Sequence, residues 1–140
     1  MSAVNKSDFE QLANVRIEEA VVLLDAGKSD GAYYLAGYAV ECALKACIAK
    51  LTNQYDYPDK YFANRCFTHH IEELVALAGL ATQRDIDVGA DPALKANWQL
   101  VKEWNESVRY ARKTQAEAQS LYDAITDTNH GVLPWLRPHW

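Results

Sequence analysis

The chain has little cysteine, no long apolar run and no excess of positive charge, and each shortage removes a class of protein. Only Cys42, Cys47 and Cys66 occur among its 140 residues. Their number is odd and no pair has C-x-x-C spacing, so a disulfide framework is not expected. No apolar run reaches the ~20 residues needed to cross a bilayer, and no membrane association is expected. The opening MSAVNKSDFEQ is polar and lacks the apolar core of a secretory signal. These readings place the protein in the cytoplasm. A net charge of −5 argues against a protein that coats nucleic acid by bulk charge, although a local basic pocket is compatible with it. Period-two alternation, internal repeats and low-complexity linkers are missing as well, so neither strands nor a division into domains is expected.

What is present is the composition of a folded chain: 49% hydrophobic and 24% charged residues. The expectation is one domain over residues 1–140, with its core at about 8–128 and a tail at 129–140. Ser7-Asp-Phe-Glu10 has the pattern of a capping box. A stripe of Phe9, Leu12, Ala13, Ile17, Ala20, Val21 and Leu24 follows at helical spacing and ends at Gly27. This predicts a first helix over about 8–26. Ser29 or Asp30 can cap a second helix. From Ala32 to Leu51 that helix is apolar nearly all round, broken only by Gly37, and its alanines permit close approach by neighbours. Its conspicuous charges, Glu41 and Lys45, have the order of a favourable surface pair worth roughly 0.3 kcal/mol. On so apolar a helix they are equally readable as a partly buried pair that lines a pocket.

Residues 52–67 read as a loop. Thr68 is the expected cap of a third helix with Ile71, Leu74, Val75 and Ala78 inward and Gly79 as its stop, which makes His69 and His70 its first residues. A second loop is expected at 81–90. Asp91-Pro92 then opens a fourth helix carrying Leu94, Val101, Trp104 and Val108. Thr114-Gln-Ala-Glu117 is a second capping-box pattern and starts a fifth helix through Ala118, Leu121, Tyr122 and Ile125. The tail GVLPWLRPHW, with Trp135 and Trp140, is expected to dock on the bundle as core or dimer contact. The fold class is therefore all-α: an antiparallel up-and-down bundle of four to five helices with a short C-terminal docking segment.

The most reactive stretch is RCFTHH, residues 65–70. Arg65 and His70 make an Arg-x4-His pair, a spacing used by metal-independent ribonucleases, but the same letters also spell an ordinary helix start. Cys66 and His69 have the spacing of a metal pair. Zinc needs three or four protein ligands and no others are evident, so no metal or cofactor is expected. Lys102, Arg109, Arg112 and Lys113 form the best anion-binding group. Guanidinium forks suit phosphate, Arg109 and Arg112 share a face if the helix persists, and Tyr110 and Trp104 lie close for stacking. Tyr33, Tyr34 and Tyr38 add rings on the second helix.

Residues 16–50, with Leu-Leu-x-x-Gly27, Asp30-x-Ala32 and Tyr38-Ala-Val-Glu41-x-Ala-Leu-Lys45-Ala46, resemble the HEPN family, the nucleotide-binding helical domains of higher eukaryotes and prokaryotes. His70-Ile71 with Leu74, and Trp104-Asn105 with Arg109-Tyr110, resemble later marks of the family in the right order. The resemblance covers most of residues 9–128. It implies a homodimer that binds a nucleotide or RNA, or a partner nucleotidyltransferase, often as a toxin–antitoxin pair. The resemblance and the residue chemistry together point to Glu41, Lys45, Tyr38, Arg109, Tyr110 and Arg112 as ligand-binding residues. Catalytic relatives carry a late Arg-x4–6-His motif. Here Thr114, Gln115 and Ala116 stand beyond Arg109 where the histidine would be. The expectation is thus a non-catalytic binding module. The alternative is a ribonuclease in which His70 deprotonates a ribose 2′-hydroxyl while Arg65 or Arg109 stabilises the phosphorane-like transition state.

Overall fold

Small side chains at the centre allow the other helices to approach. The computed structural model describes residues 4–54 and 60–140. Its α-helices are α1 (Lys6–Asp25), α2 (Ser29–Gln54), α3 (Lys60–Arg65), α4 (Ile71–Leu77), α5 (Ala81–Ala90), α6 (Pro92–Lys102), α7 (Gln115–Thr126) and α8 (Val132–Leu136). Short 3-10 turns occupy Glu106–Tyr110 and Arg137–His139. The fold is all-α, and the described residues contain no strand. No helix among them is long and apolar enough to cross a membrane.

Helix α2 is the axis. Ala32, Ala36, Ala39, Ala43 and Ala46 are all buried along it, and α1, α4, α7, α8 and the 106–110 turn pack on it from different sides. The closest approach is at Gly37, where a Cβ would meet the Trp104 ring at 2.3 Å. The apparent helix breaker is the seat of an indole. Gly27 and Gly79 end their helices as expected, in the left-handed region at φ 76° and 72°.

The helix ends both agree with the sequence reading and depart from it. Thr114 and Glu117 make the expected capping box, and Asp91 Oδ1 caps α6 through the N–H groups of Ala93 and Leu94, each at 3.1 Å. At α1 the box belongs to Asn5 and Asp8 rather than Ser7 and Glu10, because Asn5 is the residue with extended backbone. Ser29 and Asp30 do not cap α2. The Ser29 hydroxyl donates to the Lys113 carbonyl at 2.6 Å, and Asp30 accepts from the Lys113 N–H at 2.5 Å, which ties the chain after the 106–110 turn to the α1–α2 corner. His70, not Thr68, is the N-cap of α4, and His69 lies outside the helix. Arg65 ends α3 instead of lying in a loop; residues 55–59 of that expected loop lie outside the described residues.

Two larger corrections concern the second half. The loop expected at 81–90 is a helix, α5. Its buried anchor is an arginine rather than an apolar face: Arg84 donates two bonds to Glu72 on α4, at 2.6 and 2.8 Å, and covers the Trp98 ring of α6 at 5.1 Å. The fourth helix stops at Lys102, and Trp104 and Val108 are buried from a turn and a 3-10 segment. The expected four to five helices are thus divided into more, shorter pieces. The tail docks: Val132, Leu133 and Leu136 are buried, and Trp135 meets Trp98 edge-on at 5.8 Å while donating to Asp87 at 2.8 Å.

Replacing Arg84 by alanine is expected to lower unfolding free energy by about 2 kcal/mol, less than a fully buried pair because Glu72 keeps solvent contact. Urea denaturation measures it, and Arg84→Lys should recover only part because an ammonium cannot reproduce the fork. A second expectation concerns pH. The imidazole of His130 binds Asp91 Oδ2 at 2.7 Å, which holds the Asp91 carboxyl below its ordinary value and raises His130 above its own. The depressed carboxyl contributes above the unfolded aspartate range and is lost as pH falls through its folded value. The raised imidazole contributes below the unfolded histidine range and is lost as pH rises through its folded value. The gap in urea midpoint between wild type and His130→Ala should therefore be widest at about pH 5–6 and shrink on both sides.

Candidate functional site

A carboxylate on the central helix organises the polar chemistry. Glu41 is only 2% exposed, which rules out the surface-pair reading. A buried carboxylate costs several kcal/mol unless it is compensated. Compensation comes at one oxygen, Oε2, which accepts from His69 Nδ1 at 3.0 Å and faces Lys45 Nζ at 3.3 Å. Oε1 is buried without a hydrogen-bond partner among the described residues. The other nitrogen of His69, Nε2, lies 3.3 Å from Glu106 Oε2 at the start of the 106–110 turn. One imidazole therefore joins α2, the chain before α4 and the 106–110 turn.

The aromatic residues form a ladder beside this cluster. Tyr34 stacks on Tyr38 with centroids 6.0 Å apart, and Trp104 meets Tyr34 at 5.9 Å. Burial, followed by the neighbouring Cys42 and Glu41, pushes the Tyr38 phenol above its ordinary value. Burial also pushes the Cys42 thiol up to about 11, so it is a packing group and no nucleophile. Tyr33 sits apart, under the Lys113 ammonium at 4.6 Å.

The other residues singled out from the sequence are dispersed. Arg109 and Tyr110 belong to the 106–110 turn. The guanidinium lies 4.9 Å from the Tyr110 ring centroid, and Tyr110 is 79% exposed. Arg112 does not share a helical face with Arg109, because the chain turns extended at Ala111. It and Lys102 are exposed. His70 is exposed at the head of α4, and no group among the described residues hydrogen-bonds its ring. Arg65 lies 3.9 Å from Glu73. Cys66 faces an apolar groove of about 430 Å³ shared with Phe9, Ile48 and Phe67, whereas both nitrogens of His69 face carboxylates. The two therefore do not form a metal pair, and no group of three or more metal-ligating residues occurs among the described residues.

Spacing from Arg65 pointed to His70, whereas His69 is the residue bound into the fold. A charged pair on an apolar helix was the available sign that Glu41 needs a further partner. Nothing local marks Glu106 as the far end of the network. Comparison of the chain with protein-family models, curated proteins and solved structures gives no match.

Gly37→Ala should push the Trp104 indole off α2. Overpacking of about 1–3 kcal/mol outweighs the roughly 1 kcal/mol that alanine adds to helix propensity. A lower melting temperature, with the Trp104 indole resonance shifted in the NMR spectrum, is the expected outcome.

Proposed function

We propose that this protein is a HEPN-like, non-catalytic module that binds the phosphate of a nucleotide or of RNA at the 106–110 turn. The observation that carries the reading is the Arg109–Tyr110 pair. A guanidinium lies on a ring left almost wholly in solvent, and the turn beneath is held to α2 by Trp104 and by the Glu106–His69 contact. A guanidinium fork suits phosphate oxygens, and an exposed tyrosine supplies a stacking face for any base. Arg112, exposed two residues further on, adds positive charge. Local charge of this kind is compatible with a net charge of −5.

Glu41, Lys45 and Tyr38 support the site from behind, since the Lys45 ammonium already faces Glu41. The reading extends to a cytoplasmic homodimer and to a nucleotidyltransferase partner in a toxin–antitoxin pair, both of which rest on the resemblance alone. The ribonuclease alternative is less well supported. A general base needs an orienting partner, and His70 has none among the described residues.

The test is fluorescence anisotropy of a labelled single-stranded RNA in EDTA, with the RNA examined for cleavage afterwards. The expected result is binding without cleavage, weakened about fivefold or more in Arg109→Ala and in Tyr110→Ala. No binding by the wild type would overturn the reading. Cleavage lost in both His70→Ala and Arg109→Ala would replace it with the ribonuclease.

A further inference from the structure

The His69 ring has a carboxylate at each nitrogen: Glu41 Oε2 at 3.0 Å from Nδ1 and Glu106 Oε2 at 3.3 Å from Nε2. A neutral imidazole carries one N–H and one lone pair, whereas an imidazolium carries two N–H donors. Only the protonated ring can donate to both carboxylates. We propose that His69 is a proton-dependent latch that closes the 106–110 turn onto α2 when charged and releases it when neutral.

The two ends of the latch are unequal, which decides where it opens. Glu41 is buried at 2% exposure and needs a donor, while the side chain of Glu106 is 51% exposed and can exchange His69 for water. The remaining proton of a neutral ring therefore stays on Nδ1, facing Glu41. The Nε2 lone pair then faces the Glu106 carboxylate, acceptor against acceptor, and that contact separates. Lys45 shares Glu41 Oε2 at 3.3 Å and keeps the buried carboxylate compensated in either state. On the α4 side Glu73 is occupied by Thr68 at 3.2 Å and Arg65 at 3.9 Å, so it does not substitute for Glu106.

Release has a structural consequence because Glu106 begins the turn that ends in Arg109 and Tyr110. The turn is a 3-10 segment of five residues, bounded by the bonds from Val108 N–H to the Asn105 carbonyl at 3.1 Å and from Ala111 N–H to the Val108 carbonyl at 3.0 Å. So short a segment depends on its tertiary attachments for order. Trp104 on Gly37 holds one end and Lys113 on Asp30 the other, while the latch holds the start of the turn between them. The effect on ligand binding rests on the function proposed above; the latch itself does not.

The test is amide hydrogen exchange of the full chain at pH 6 and pH 8, with the Val108 and Ala111 amides corrected for intrinsic rates and referenced to Ala118 in α7. Wild type is expected to lose about fivefold of its protection in the turn at the higher pH, the size of effect a half-exposed charged contact supports. Glu106→Ala should show the weaker protection at both pH values, with no step between them. Because Glu106 is exposed, this variant should fold where a His69 substitution could strand Glu41. Equal protection at both pH values in wild type, or a step retained in Glu106→Ala, overturns the latch. RNA anisotropy at the same two pH values is the second arm, and wild type should bind more tightly at pH 6 while the variant shows no difference. Absence of RNA binding at either pH would remove the proposed function and leave the exchange result to decide the latch.

Discussion

The structure depends on close approach to a single helix. Helix α2 is surrounded by four other helices and a 3-10 turn, and only small side chains leave room for that many neighbours. Alanines at 32, 36, 39, 43 and 46 and the glycine at 37 provide the room. The Trp104 indole uses the tightest part of it. Close packing on several sides removes water from the helix, so any charge left there must be compensated by the protein.

Glu41 is that charge. Its burial accounts for the position of Lys45 one turn along and for a histidine brought in from the chain before α4. Through His69 the requirement reaches Glu106, so the segment carrying Arg109 and Tyr110 is joined electrostatically to the most buried helix. A buried ion pair is weak evidence for stability and better evidence for a specified arrangement. Here the arrangement fixes the start of a 3-10 segment only five residues long. Arg84 does comparable work at the other end of the molecule, where a guanidinium fork on Glu72 and a face on Trp98 dock a helix with almost no apolar stripe. Both cases show a charged side chain placing an element that hydrophobic burial alone would leave unspecified.

The proposed roles of these groups differ accordingly. Arg109 and Tyr110 are exposed and have little structural reason to be where they are, which suits contact with a ligand. Glu41, Lys45, His69 and Glu106 are committed to one another, which suits positioning. The ring of His70, although this residue completes an Arg-x4-His spacing, has no hydrogen-bond partner among the described residues and no place in the network.

The all-α class, the central second helix, the stops at Gly27 and Gly79, the caps at Asp91 and Thr114 and the docked tail were legible from the sequence. Each depends on local backbone preference or on the spacing of apolar residues, which adjacent letters express. Helix α5, the end of α6 at Lys102 and the binding of His69 rather than His70 into the network were decided by the tertiary structure, whereas the first cap, Asn5 with Asp8, is a local alternative to Ser7 with Glu10. In α5 the deciding interaction is with Glu72, twelve residues back, and in the His69 network the partners lie 28 residues before and 37 after it. Periodicity records which face of a helix is buried. It does not record which distant charge meets a carboxylate that burial has removed from water, because that pairing exists only once the chain has packed.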